Sequence, residues 1–222
     1  MVLRPAQRAA LPAAVAAAAG LAAGCEALDV LRPQPHPPPG PPAIEWRRST
    51  SLGVPSGGRL VDGVRLPAEG RHFATWDYVR KTSPSRPWRR WGADSTVRTV
   101  LRIARAHRRA NPGAPRVLVG DISRPGGGDF GPRFGGRGHV SHQSGVDVDV
   151  YYPRRDRVEA EPARVSQVDR RLAQDLVDRF VAAGAIRVFV GPRTGLTGPA
   201  GTVQPLVRHD NHLHARFADA RP

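Results

Sequence analysis

Valine occupies positions 146, 148 and 150, and Asp147, Asp149 and Tyr151 alternate with it. A two-residue period of this kind predicts a strand that buries its valines and turns the aspartates to one common face. Apolar runs in "RVLVGDIS" (116–123), "IRVFVG" (186–191) and "HLHARF" (212–217) predict further strands. Elsewhere the period lengthens. Val97, Val100, Leu101 and Ala104 predict a helix that Asp94 or Ser95 caps and that runs to about Ala110, where "NPG" ends it. Val168, Leu172, Leu176 and Phe180 predict a second helix over 166–183, closed by Gly184. Residues 52–79 are punctuated by glycine and read as loops and small hairpins. The glycine-rich stretch 126–138 reads as a mobile loop, and it lacks the strand–loop–helix setting of a phosphate-binding motif.

The N-terminal part follows other rules. Residues 1–24 hold Arg4 and Arg8, then an uncharged alanine-rich run too short for a usual membrane span, ending in small residues. This is the pattern of a secretory leader. Cys25, the only cysteine, directly follows "LAAG", which resembles the site at which bacterial lipoproteins are cleaved and acylated, although Ala22 stands where leucine is preferred. The expectation is an acylated Cys25 and an extracytoplasmic, membrane-anchored protein; plain secretion is the alternative. "PQPHPPPGPP" at 33–42 lacks amide donors and has fixed φ angles, so it forms a semi-extended spacer. The expected organisation is a leader over 1–24, a linker over 25–50 and one folded domain over 51–222. One cysteine makes no internal disulfide, so burial and hydrogen bonds, with or without a metal, must hold the domain together.

Composition adds a strong positive charge. The formal net charge is +15, almost all from arginine, with Lys81 the only lysine. Such a surface suits a polyanion. Nucleic acid is disfavoured by the export-type leader, by the lack of a recognisable binding motif and by the scatter of the arginines. Anionic wall polymer or lipid headgroups fit an exported chain better, and a merely solubilising surface is the plain alternative.

Five of the eight histidines fall in two short clusters, His139 and His142 in "HVSHQSGVDVDVYY" and His209, His212 and His214 in "HDNHLH". Alone, each would more often be a surface or hydrogen-bonded core residue, the reading given to His36, His72 and His107. Clustering weakens that reading. On a strand His212 and His214 project from one face, so one can hold a metal while the other stands beside a metal-bound water. A loop histidine near 142 and a strand carboxylate near 149 meet if the loop curls back over the sheet. Two histidines, one carboxylate and an open position make the ligand set of a hydrolytic zinc site.

The segments "GDIS…GG…GHVSHQSGVDVDVYY" and "HDNHLHARF", together with "GVPSGGRLVDGVRLP" and the "WG" at 91–92, resemble the penicillin-insensitive murein endopeptidases from about Leu52 through Phe217. These belong to a wider zinc-peptidase group that includes lysostaphin, D-Ala-D-Ala dipeptidases and the hedgehog amino-terminal domain. The group shares His-x6-Asp followed by His-x-His, matched here by His142 and Asp149 and by His212 and His214. The resemblance implies an α+β fold in which a small, mostly antiparallel sheet carries a zinc site flanked by helices. It implies that His142, Asp149 and His214 hold Zn2+, that His212 is the catalytic base, and that His139 and His209 are auxiliary active-site groups. Asp147, five residues from His142, departs from the ligand spacing and is expected to orient a ligand histidine. Asp121 is expected either to support the site or to cap a turn. His209, or Arg133 or Arg137 from the glycine-rich loop, is expected to face the developing oxyanion.

The implied substrate is peptidoglycan, and the implied bond a cross-link from D-alanine to a diamino acid. A serine route is excluded, because Tyr78 stands where Ser-x-x-Lys would need serine before Lys81, and Ser141 and Ser144 lack a nucleophile-elbow setting. Three alternatives stay open: a zinc carboxypeptidase on stem peptides, a non-catalytic zinc-stabilised wall-binding module and, most weakly, a basic nucleic-acid-binding protein. The oligomeric state is not legible.

Overall fold

A computed structural model describes residues 43–134 and 140–218, so the leader, Cys25, the Pro-rich spacer, Arg137 and His139 lie outside the described residues. The regular elements run in the order β1 (Thr50–Leu52), β2 (Arg59–Val61), β3 (Val64–Arg65), β4 (Phe73–Thr75), β5 (Trp91–Gly92), α1 (Asp94–Ala110) and β6 (Val117–Val119). They continue with β7 (Asp147–Tyr151), α2 (Arg170–Ala182), β8 (Arg187–Val190), β9 (Val203–Pro205) and β10 (His212–Arg216). Two hairpin-like pairs, β1 with β2 and β3 with β5, stand apart from a six-stranded sheet of order β4-β6-β7-β10-β8-β9.

The centre of that sheet is antiparallel, from β6 through β7 and β10 to β8. Both outer pairings are parallel, β4 with β6 and β8 with β9. The sheet is therefore mostly antiparallel, as expected, with a parallel pairing added at each edge. The physical reason on one side is α1, which carries the chain from β4 back to β6 as a crossover, and a crossover delivers a parallel neighbour. Mixed α+β architecture with both helices on one side of the sheet follows from the core. Val148 and Val150 of β7, Val117 and Val119 of β6, Val188 and Val190 of β8 and Leu213 and Ala215 of β10 all pack with apolar residues of α1 and α2. The alternate positions of β7 and β10 face the other way and carry the polar groups.

Several boundaries moved for identifiable reasons. The first helix is capped neither by Asp94 nor by Ser95: Asp94 N donates to Ser49 Oγ (3.0 Å), and Ser49 N donates back to Asp94 Oδ1 (3.2 Å). With Ile44 also packed on the core, folded structure reaches back past Ser51, the expected start of the domain. The second helix begins at Arg170 because Asp169 accepts from Leu172 N (3.2 Å), and residues Val165–Gln167 form a separate 3-10 turn. The strand expected over 116–123 breaks after Val119, although Gly120 N and Asp121 O still bond to Asp149 (2.8 and 2.9 Å). Nor is the first half of the glycine-rich stretch free to move. Gly128 N donates to Gln143 O (2.8 Å), and a Cβ on Gly127, at φ +66°, would lie 2.2 Å from that same carbonyl.

Candidate metal centre

Cross-strand register builds the site. His214 lies opposite Asp149, Arg216 opposite Asp147 and His212 opposite Tyr151, all on the face of β7 and β10 turned away from the helices. A one-residue slip would send every one of them into the valine core, so the hydrophobic pattern fixes the polar one.

His142 arrives from the loop before β7, with its backbone in the left-handed region at φ +72°. That conformation is unusual for a non-glycine residue and persists only where the surroundings enforce it. Here Asp147 Oδ2 accepts from His142 N (2.9 Å), and the ring is fully buried, with Nδ1 donating to Ile122 O (2.7 Å). The Ile122 carbonyl is itself placed by the bonds that tie Gly120 and Asp121 to Asp149. Glycine is needed at 120, since a Cβ there would meet the Tyr151 ring at 2.9 Å and Asp149 Cβ at 3.1 Å.

The result is a tight triangle. His142 Nε2 lies 3.2 Å from His214 Nδ1 and 3.4 Å from Asp149 Oδ1, and His214 Nδ1 lies 3.1 Å from that same oxygen. A tetrahedral zinc with bonds of about 2.0–2.1 Å sets neighbouring ligand atoms about 3.3–3.4 Å apart. The three buried groups, which lie close enough together that they could hold a metal ion, therefore fit such an ion. The donor chemistry also fits, because each imidazole has its other nitrogen engaged: His142 Nδ1 on the Ile122 carbonyl, and His214 Nε2 on Asp147 Oδ1 at 3.1 Å. Such outer bonds fix tautomer and ring orientation in metal sites.

Charge in this pocket is closely balanced. Burial opposes the imidazolium of His214, but hydrogen bonds and attraction from Asp147 and Asp149 outweigh it and hold its pKa up at about 9. Burial likewise opposes ionisation of Asp147, yet His214, His142 and Arg216 pull its pKa far below the usual carboxylate range. Arg216 reaches Asp147 Oδ1 through Nε at 2.7 Å.

His212 stands at the rim, its Nε2 3.8 Å from Asp149 Oδ1. Asn211 Oδ1 accepts from His212 Nδ1 (2.7 Å), while Asn211 Nδ2 donates to Glu161 Oε2 (3.4 Å). An amide oxygen only accepts, so the proton sits on Nδ1 and the basic lone pair of Nε2 is directed to the site. His209 is half-buried, its ring 4.6 Å from that of His212 and 6.1 Å from that of His214, with Nδ1 on Val207 O (2.9 Å). His139 and Arg137 lie outside the described residues, as does the Arg133 side chain.

Sequence reasoning missed several of these supports. Asn211 sits inside "HDNHLH" yet gained no role, Arg216 continues the two-residue step of His212 and His214 onto the same face, and Glu161 is a distant partner without a local signal. Asp121 proves to pair with a buried Arg89 (2.5 Å), whose guanidinium lies 5.1 Å from each of the Tyr78 and Phe130 rings. The only hint was an Arg-Arg pair preceding "WG". His107 is a buried, hydrogen-bonded core residue between α1 and α2, with Nδ1 2.6 Å from Asp175 Oδ2.

Comparison with known proteins gives a consistent picture. The family model described as penicillin-insensitive murein endopeptidase matches residues 51–192. A penicillin-insensitive murein endopeptidase of Escherichia coli O157:H7 is 29% identical over 209 residues, covering 79% of this chain and 71% of that relative. One from Escherichia coli O1:K1 is 30% identical over 215 residues with the same coverages, and one from Citrobacter koseri is 28% identical over 208 residues, covering 82% of this chain and 68% of its own.

Proposed function

Because the chain belongs to the penicillin-insensitive murein endopeptidase family, a family of metallopeptidases, we propose that it is a zinc-dependent enzyme hydrolysing the peptide cross-links of peptidoglycan at a D-alanyl to diamino-acid bond. The observation that carries this reading is the buried triangle of His142, Asp149 and His214 with the basic nitrogen of His212 at its rim.

In this reading His142 Nε2, His214 Nδ1 and an Asp149 oxygen hold Zn2+. When bound, the ion supplies Lewis acidity that acidifies a water and polarises the scissile carbonyl. The chain's own groups do the rest. Nε2 of His212 takes the proton from the attacking water and returns it to the leaving amine, and Asn211 keeps its ring in the tautomer that can do so. Asp147 holds both ligand histidines, one by its ring and one by its backbone, with Arg216 balancing its charge. His209, whose ring lies 4.6 Å from that of His212, faces the developing negative charge; His139 has an auxiliary role. No serine is acylated, so the activity is indifferent to β-lactams.

The domain acts outside the cytoplasm, where murein lies, tethered through an acylated Cys25 and the proline-rich spacer. No helix among the described residues is long and apolar enough to cross a membrane. Cys25→Ala releases the protein to the soluble fraction if the tether is real; a wild type already soluble leaves plain secretion. The decisive experiment incubates zinc-loaded protein with purified cross-linked muropeptides and identifies products by mass. Monomers from dimers support the endopeptidase. Loss of only a terminal D-alanine would make it a carboxypeptidase, and no product a non-catalytic module.

A further inference from the structure

Away from the metal centre, the last turns of α1 present Arg105, Arg108 and Arg109, spaced i, i+3 and i+4 on one helix face. The segment entering β4 brings Arg71 and His72 against them, held there because Val117 N donates to His72 O (3.0 Å) and β4 pairs with β6. These five side chains line an open hollow of about 520 Å³ with no acidic residue in its wall.

Three arginines with little exposed side chain elsewhere in the fold are each matched with a carboxylate: Arg86 with Asp77, Arg89 with Asp121, Arg216 with Asp147. Among the described residues none of the four arginines of the hollow has such a partner, and Arg108 Nε is buried without a hydrogen bond. Glu159, which feels the Arg108 charge, is already committed to Arg116 through contacts of 2.7–3.1 Å. His72 registers the convergence: burial, then Arg71, Arg105, Arg108 and Arg109, lower its pKa. The carbonyl end of α1 favours cations in its last turn, but it does not account for Arg71, which comes from another segment.

We propose that this hollow is a binding site for clustered phosphoryl groups, either a soluble polyphosphate or the phosphate-bearing headgroup of an anionic lipid, gripped by Arg71, Arg105, Arg108 and Arg109. Four forked guanidiniums offer paired N–H donors that match phosphate oxygens in geometry as well as charge. A lone carboxylate carries a single charge and leaves most of the hollow unmatched. The site shares no residue with the metal centre, so it stands or falls independently of the peptidase reading.

The test titrates the full zinc-loaded chain with inorganic pyrophosphate at low salt, comparing R105Q/R109Q with R59Q/R187Q. Both pairs are exposed and remove equal charge, and none of the four lines the metal centre, so any chelation of zinc by the probe is common to the two. The expected result is a loss of about tenfold in affinity for R105Q/R109Q and under about twofold for R59Q/R187Q. Equal losses, or no binding by the wild type, would overturn the site in favour of diffuse charge. Arg71→Gln, on a loop, repeats the test should the helix variant melt early. Co-sedimentation with phosphatidate against phosphatidylcholine vesicles separates the sources. The same variant pattern on phosphatidate makes the ligand a headgroup, the pattern on pyrophosphate alone makes it a soluble phosphate, and neither pattern refutes the proposal.

Discussion

Two buried histidines, each against a carboxylate, meet opposite fates in this fold. His107 lies between the helices with Nδ1 2.6 Å from Asp175, and His214 lies on the sheet against Asp147 and Asp149 at 3.1 Å each. Burial lowers the pKa of His107 despite its partner, with Arg179 and Arg108 adding to the depression. His214 is held up at about 9, although burial opposes its charge as well. The difference is a second carboxylate: Asp147, like Asp175, is bonded to an arginine, but His214 also meets Asp149. Asp175 is gripped by Arg179 through Nε and Nη2 and receives a bond from Asn111, so its charge is already answered. Asp149 instead faces the rings of His142, His212 and His214. One carboxylate answered by arginine makes a structural joint; two carboxylates among three imidazoles make a place for a cation.

The largest predicted effects test that contrast directly. Removing the metal with a chelator should abolish muropeptide hydrolysis, and readdition of zinc should restore it. His142→Ala, Asp149→Ala or His214→Ala should lose stoichiometric zinc after dialysis, measured by atomic absorption; retention of one zinc per chain in all three would dissolve the assignment. His212→Ala should keep its zinc and lose ~10²–10⁴-fold in hydrolysis, the usual contribution of a positioned general base. A zinc-replete variant working near the wild-type rate would shift the role to His209 or His139.

Next in size comes Asp147→Asn, which leaves all three ligands in place. Asparagine keeps a single acceptor oxygen, so it cannot accept from both His214 Nε2 and His142 N as Asp147 does, and zinc affinity should fall about 10–100-fold. Unchanged affinity by competition with a calibrated chelator would reduce Asp147 to a partner of Arg216. Proton linkage is smaller but specific. With a pKa of about 9, His214 in the metal-free protein is protonated at pH 7, and zinc must displace that proton. Apparent zinc affinity should therefore rise with pH until about pH 9 and then flatten, with calorimetry in buffers of different ionisation enthalpy reporting about one proton released at pH 7. Stability of the metal-free protein has the opposite slope. A histidine raised above its unfolded value contributes fully below about pH 6.5, and that contribution is lost as pH rises through about 9.

What the sequence disclosed, it disclosed through period and spacing. Alternation around Val146, Val148 and Val150 set the face of Asp147 and Asp149, and the two-residue step from His212 to His214 set theirs. The helices showed in their apolar spacing. What stayed hidden depends on contacts far apart in the chain. Nothing near Ile122 marks its carbonyl as the acceptor for a histidine twenty residues on, and nothing near Arg216 marks Asp147 as its partner until register is known. Ser49 caps α1 from 45 residues away. The parallel edges of the sheet escaped for a similar reason, since β4 and β9 are three-residue strands too short to show a period.

The smallest effect closes the comparison from its structural side. Asp175→Ala deletes the acceptor shared by His107, Asn111 and Arg179 without touching the sheet. Arg179 can turn to water, because its side chain is a quarter exposed, but His107 is fully buried and loses its partner. A buried group left without its hydrogen bond costs about 1–3 kcal/mol, while alanine is a good helix former and offsets a little of that. The unfolding free energy from denaturant titration should thus fall by about 1–3 kcal/mol with an unchanged slope. Zinc content and hydrolysis at a temperature well below the melt should match the wild type. Should zinc binding or hydrolysis fall in step with stability, the joint between the helices and the site on the sheet would be energetically coupled, and the separation of the two histidine environments would fail.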